Sequence, residues 1–298
     1  MPPTLTMAMV MLTAALMGLS GIANQVCAEN AGAVPERVTF MSADGKTTLV
    51  GYLYTAKAMA GRTPAVVMMH GRAGPYSTRA NGVYDASTLS LRHKAWGRAW
   101  AEAGYVALLV DGFGPRGYWA GFQRYSYAQR PEEVNEVTVR PLDAYGALAY
   151  LRTRADVRPD RIGLQGWSNG ASATLAAISA DAPDQGDRTP GFRAALAFYP
   201  GCGLKGAFDA KPLIPYAPVL ILQGTADEEV SYRRCLMLVE RSRQSGGDID
   251  ITLYPGATHD FDAPDRNRQS IDANAQARQD ALTRARDFFA HHLETAND

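Results

Sequence analysis

Short, unbroken apolar runs alternate with amphipathic stretches along most of this chain, and that alternation limits the fold more tightly than any other feature. "TPAVVMMHG" (63–71), "YVALLVD" (105–111), "RAALAFYP" (193–200) and "PVLILQGTAD" (218–227) carry apolar side chains at consecutive positions, and "RIGLQGW" (161–167) reads as a further strand among them. A strand with one wet face would alternate, so runs of this kind read as strands buried on both faces, as in a parallel sheet under two helical layers. The segments between them have helical character: "LRHKAWGRAWAEAG" (91–104), "VRPLDAYGALAYLRTRA" (139–155), 169–180 and "YRRCLMLVERSRQ" (232–244). A strand "IDITLYPG" (249–256) and a helix near 273–293 close the series. At the front, "ERVTFMSADGKTTLVGYLYTA" (36–56) reads as a hairpin turning at Asp44-Gly45. The expectation is an α/β fold of about eight strands, mostly parallel, with helices on both faces and an antiparallel hairpin in the lead.

At 298 residues and 46% hydrophobic, the chain is long enough to bury a large core. Neither a low-complexity linker nor an internal repeat divides it, so residues 29–298 read as one catalytic domain. With 30 basic and 30 acidic residues the formal charge is zero. Nucleic acid and anionic membrane surfaces both demand an excess of Lys and Arg, so a small-molecule partner is the expectation.

Residues 1–28 carry no charged side chain, and the apolar run at 7–23 leads to Val26-Cys27-Ala28, a small-residue cleavage site. This reads as a signal peptide of an exported, periplasmic or secreted protein, with no stable membrane partner after cleavage. The leader lacks a basic start, so an uncleaved anchor is the alternative. Once the leader is removed, the cysteines left are Cys202 and Cys235, an even pair in an oxidising compartment, and a disulfide between them is expected.

Gly166-Trp167-Ser168-Asn169-Gly170 stands where a strand passes into a helix. G-x-S-x-G at such a junction fits a nucleophile elbow, which lifts a serine hydroxyl above the sheet edge. A serine hydroxyl is a weak nucleophile and needs a base, itself oriented by a third group. Functional groups in doubly wound sheets gather at the carboxyl ends of strands. There the chain places Asp227, ending "LILQGTAD", and His259, in "YPGATHDFD". Ser168, Asp227 and His259 thus form a candidate nucleophile, orienting acid and base. His70, closing the third strand as "HGRAG" (70–74), reads as structural, with the backbone N–H of Arg72 and of Asn169 as the two halves of an oxyanion hole. "HDFD" (259–262) lacks the second histidine of a metal site, and no glycine-rich phosphate loop occurs, so neither metal nor cofactor is expected.

The stretch "GFGPRGYWAGFQRYSYAQRPEE" (112–133) is too long and too aromatic for a simple connection, and suits a pocket wall or a packed lid. Within it Arg116, Tyr118 and Trp119 are candidate substrate contacts, Arg116 through bidentate binding of a carboxylate.

Taken in order, "HGRAG", "VDGFGPRG" (110–117), "RIGLQGWSNGA" (161–171), "AFYPGC" (197–202), "LILQGTAD" (220–227) and "YPGATHDFD" (254–262) resemble the α/β-hydrolase superfamily and, within it, the dienelactone hydrolase-like family. The resemblance spans nearly the whole chain after the leader and implies hydrolysis of carboxylic esters or lactones through an acyl-enzyme. Two positions depart from the family pattern: Ser168 stands where the namesake enzymes use cysteine, and Ala171 where a second glycine is common. The same triad could also serve a peptidase or amidase, and the fold alone a noncatalytic binding protein.

Overall fold

The structure, a computed structural model, describes residues 34–55, 61–182 and 191–294; the leader and its cleavage site lie outside the described residues. Eight strands form one sheet: β1 (Glu36–Met41), β2 (Thr48–Tyr54), β3 (Thr63–Met69), β4 (Val106–Asp111), β5 (Val157–Trp167), β6 (Ala195–Phe198), β7 (Val219–Gly224) and β8 (Ile249–Tyr254). Their order across the sheet is β1-β2-β4-β3-β5-β6-β7-β8. The hairpin strands pair antiparallel with each other and β2 with β4, whereas every pairing from β4 to β8 is parallel.

The unbroken apolar runs are strands that feed two cores at once. Along β4, Val106, Leu108 and Val110 enter one core and Ala107 and Leu109 the other; β3 divides Ala65, Val67 and Met69 from Val66 and Met68 in the same way. That is the two-residue period of a strand covered on both faces. Helices α1 (Leu91–Glu102), α2 (Arg140–Arg152), α3 (Asn169–Ile178), α4 (Tyr232–Gln244), α5 (Arg266–Gln269) and α6 (Asp272–Phe289) complete the layers. Ala144, Leu148, Leu175 and Val239 bring α2, α3 and α4 onto the first face. Trp96 and Trp100 of α1, with Ala277, Ala281, Ala285 and Phe289 of α6, cover the second. The four-residue spacing in α6 sets one stripe of the helix against the sheet.

The chain steps from β3 to β4 in one direction and then crosses back over β3 to β5. This reversal opens a crevice at the carboxyl ends of β3 and β5, the switch point where doubly wound sheets bind ligands. His70 leaves β3 there and Ser168 leaves β5.

The long aromatic loop divides by function. Phe113 is buried against Phe122, Phe122 meets Tyr118, and Trp119 stacks on Tyr84 with ring centroids 5.8 Å apart. Tyr125 and Tyr127, exposed by 74% and 44%, face a cavity instead. Cys202, just past β6, is disulfide-bonded to Cys235 in the first turn of α4, their Cα atoms 5.1 Å apart. Because β6 and β7 are neighbours, the bridge ties the loop after β6 to the first turn of α4 at the crevice edge.

Candidate active site

The elbow is built by steric necessity. Ser168 has φ 52° and ψ −116°, a conformation unfavourable for a side-chain-bearing residue. A Cβ on Gly166 would lie 2.3 Å from the Gly170 carbonyl oxygen, and one on Gly170 would lie 2.1 Å from that of Met69. Only glycine at both positions lets the helix start this close to the strands, which explains the pattern around the serine.

His259 Nε2 lies 3.0 Å from Ser168 Oγ, and His259 Nδ1 lies 2.8 Å from Asp227 Oδ2. With Nδ1–H donating to the carboxylate, Nε2 is left as the acceptor for the serine hydroxyl. Asp227 is held in turn: Oδ1 accepts the backbone N–H groups of Glu229 and Val230 at 2.9 Å each, and Gln223 Nε2 donates to Oδ2 at 3.0 Å. Burial opposes protonation of His259, but the Asp227 hydrogen bond and the charges of Asp260, Asp227 and Glu229 outweigh it and raise its pKa.

Glu228 and Glu229, which look like solvated acids in the sequence, both serve this arrangement. Glu228 Oε2 accepts the His259 backbone N–H at 2.9 Å and so fixes the histidine loop. Glu229 lies 3.9 Å from His259 Nε2 and takes a two-point contact from Arg72, at 2.8 and 2.9 Å. Arg124 of the aromatic loop also reaches Glu229, at 2.8 Å.

The strand-end loop at 70–72 runs directly against the serine: a Cβ on Gly71 would sit 3.4 Å from Ser168 Cβ. Asn169 opens α3, and a first-turn N–H has no carbonyl within its own helix to bond. His70 is fully buried, donates from Nδ1 to the Gly71 carbonyl at 2.7 Å, and accepts the Gly112 N–H at Nε2. Burial, with Arg140 nearby, holds its pKa well below the ordinary imidazole value, so it stays neutral and braces the loop.

Two cavities meet at Ser168 and Arg72. One, of about 590 Å³, is bordered by Asn169, Tyr127, Arg130 and Arg234; the other, of about 440 Å³, by His259, Tyr76, Arg79 and Asn267. The candidate substrate contacts in the aromatic loop border neither. Arg116 is 6% exposed and holds Asp143 through both Nη groups at 2.8 Å, while also donating to the Gly112 carbonyl. Its fork is closed by a carboxylate of the protein itself, so the expectation that it meets a substrate carboxylate is corrected. Tyr118 donates to Glu133, and Trp119 packs on Tyr76 and Tyr84. The cations that line the larger cavity are Arg72, held by Glu229, Lys205, Arg234 and Arg130, whose Nε is buried without a hydrogen-bond partner.

Among the described residues, Glu229, His259 and Asp260 bring possible metal-ligating atoms within 4.8 Å of one another. A cation there would compete with the guanidinium groups of Arg72 and Arg92, which already hold Glu229 and Asp260.

Residues 49–293 match the family model described as the dienelactone hydrolase family. The chain belongs to that family. Over 179 residues it is 28% identical to a Bradyrhizobium protein named "Probable 2-oxo-3-(5-oxofuran-2-ylidene)propanoate lactonase", covering 54% of this chain and 64% of the lactonase. It is also 25% identical over 267 residues to human dipeptidyl peptidase 8, covering 78% of this chain but 27% of the peptidase. Among solved structures, the propionate-bound esterase of the planctomycete Thermogutta terrifontis superposes with a TM-score of 0.62 at 19% identity, covering 91% of this chain and 99% of the esterase. At that identity the likeness shows the fold alone.

Proposed function

We propose that this member of the dienelactone hydrolase family cleaves carboxylic esters or lactones through an acyl-enzyme on Ser168. The observation that carries the reading is the continuous chain from Ser168 Oγ through His259 to Asp227, at 3.0 and 2.8 Å. His259 takes the serine proton as Oγ attacks the ester carbonyl, and the backbone N–H groups of Asn169 and Arg72 receive the oxygen that becomes negative. As the tetrahedral intermediate collapses, His259 returns the proton to the leaving alkoxide. Water, deprotonated by the same imidazole, then attacks the acyl carbonyl; as the bond to Ser168 Oγ breaks, His259 returns the proton to the serine and the acid leaves.

The proton must reach the leaving oxygen from His259, so the alcohol part occupies the smaller cavity, which His259 borders. The acyl part occupies the larger one, beside Asn169. A lactone, whose acyl and alcohol parts are joined, would straddle Ser168 and remain attached as a hydroxyacyl group.

The Cys202–Cys235 bridge favours an oxidising compartment, in line with export to the periplasm or medium. Export is checked by recovering the protein from the medium or periplasm with Glu29 at its N-terminus; recovery only from the cytoplasm with the leader intact would count against it.

The reading is tested with the mature chain and an aryl phosphonate. Mass spectrometry should find the label on Ser168, and Ser168→Ala should lose about 10⁴-fold or more in kcat while keeping its melting temperature within a few degrees. An Ala variant that retains wild-type turnover would refute the acyl-enzyme.

A further inference from the structure

We infer that Arg140 is a positioning residue for oxyanion binding, its guanidinium holding the Asn169 and His70-Gly71-Arg72 segments at the separation their two N–H donors require. The inference rests on the ester-hydrolase reading above.

Arg140 opens α2 and is fully buried. Its Nη1 donates to Asn169 Oδ1 at 2.6 Å and its Nη2 to the His70 carbonyl at 2.9 Å. Each acceptor belongs to a segment that supplies one oxyanion donor. Asn169 follows the nucleophile, and His70 lies two residues before Arg72. The His70 carbonyl is confined from the other side as well, since a Cβ on Gly170 would approach its oxygen to 2.5 Å. One carbonyl is therefore wedged between the start of the nucleophile helix and a fixed planar cation.

The chemistry of the site asks for such a brace. A negative oxygen is stabilised only by donors already aimed at it, with a tolerance of about 0.5 Å. The two donors come from different strand ends, so no single turn sets their spacing. A guanidinium can do so because its N–H groups diverge in a rigid plane, which an ammonium on a flexible stem cannot reproduce.

The placement of Arg140 is hard to explain by folding alone. Burying a cation is costly, and one without a full carboxylate partner more so. The nearest acid on its own helix, Asp143, already receives both Nη groups of Arg116, and Arg140 Nε has no hydrogen-bond partner. The Phe113 ring lies 4.8 Å from the guanidinium carbon and contributes a cation–π contact. Burial pulls the Arg140 pKa down to about 10, with Asp143 and Glu136 opposing, so the cation persists at neutral pH.

The decisive measurement pairs an ester with its thionoester, in which sulfur replaces the carbonyl oxygen. A hole set for oxygen favours the oxo substrate, and the ratio of the two kcat/KM values is independent of how much protein is folded. Arg140→Lys should lower kcat for the oxo ester by about 10²-fold, with KM within about threefold, and shrink the oxo/thiono ratio about tenfold or more. Active-site titration with the phosphonate normalises the rates. Should Arg140→Lys fail to fold, Asn169→Ala supplies the second arm: it keeps the backbone N–H but removes the Oδ1 handle, and should shrink the ratio in the same direction. An unchanged ratio in the folded variants, with both substrates slowed equally, would reduce Arg140 to a structural residue and overturn the inference. A wild type that neither hydrolyses esters nor takes the label fails at the earlier step and brings down the ester-hydrolase reading first.

Discussion

The indole N–H of Trp167, the residue before Ser168, donates to Asp262 Oδ2 at 2.9 Å, and Asp262 stands three residues beyond His259. One hydrogen bond thus joins the segment carrying the proposed nucleophile to the segment carrying its proposed base. Asp262 is buried and serves as a hub: it also accepts from Trp96 Nε1 at 2.8 Å and from the Tyr199 hydroxyl at 2.5 Å. Tyr199 lies against the His259 ring, with centroids 4.6 Å apart.

Removing this acceptor leaves two indole N–H groups and a phenol buried without a partner. Asp262→Ala is expected to destabilise the fold by roughly 3 to 5 kcal/mol, the range for breaking a buried charged network. Asp262→Asn can keep its amide oxygen toward both indoles and donate from its NH2 to the Tyr199 hydroxyl oxygen, so it should recover much of that loss. Thermal or denaturant unfolding gives the stability change, and active-site titration separates it from any change in kcat. A loss below 1 kcal/mol would mean that the hub is dispensable.

The pH dependence follows from the charges around His259. Asp227, Asp260 and Glu229 raise its pKa above the ordinary imidazole value despite burial. As the proposed base, His259 would work only when neutral, so activity is expected to be low at acid pH and to rise as the proton leaves. The kcat/KM profile should therefore climb with a midpoint above about 6.5. Glu229→Gln removes one negative charge 3.9 Å from Nε2 and should move that midpoint downward. A flat profile from pH 5 to 8 in folded protein, or an upward move in the variant, would contradict this electrostatic assignment.

The parts of the site that were legible in the sequence share one property: each follows directly from the end of an apolar strand. Ser168, Asp227 and His259 could be placed on one edge because strand ends in a parallel sheet define that edge. The two cysteines could be paired because they are the even pair left once the leader is removed, and the structure brings them together because β6 and β7 are neighbours in the sheet. Arg140, Asp262 and Glu229 were not legible, because their roles depend on partners brought close only by the tertiary fold. Arg140 sits between "NEVTV" and a proline, which reads as the start of an ordinary helix. Arg116 misled for the same reason. A loop arginine looks available for substrate, and nothing in the local pattern announces that Asp143, on a separate helix, will close its fork.

The larger cavity has a chemical bias that substrate series can read. Arg130 and Arg234 border it, and Arg130 also covers the Tyr127 ring at 5.3 Å. Acyl groups ending in a carboxylate should therefore be hydrolysed with lower KM than neutral acyl groups of equal length. Arg234→Ala should raise KM for the anionic series by about tenfold, the loss of one charge-assisted hydrogen bond, and leave the neutral series nearly unchanged. Equal effects on both series would show that the arginine acts on cavity shape rather than charge.

The disulfide links stability to the same cavity. Cys202 and Gly201 form part of its wall, and Cys235 anchors the start of α4, where Ser231 and Arg234 form another part. The bridge closes a loop with a sequence separation of 33, which in the chain-entropy model stabilises the fold by roughly 3 to 4 kcal/mol. For a domain of this size that corresponds to a melting-temperature loss of roughly 10 °C on reduction. Function should fall as well, because β6 and β7 would no longer be tied beyond their hydrogen-bonded ends and the Asp227 loop lies between β7 and α4. The Cys202→Ser/Cys235→Ser double variant, assayed well below its melting temperature, separates the two effects. KM should rise while Ser168 labelling persists, since the elbow itself is built by Gly166, Gly170 and their neighbours. If the double variant melts with the wild type and keeps its KM, the bridge neither stabilises the fold nor shapes the cavity.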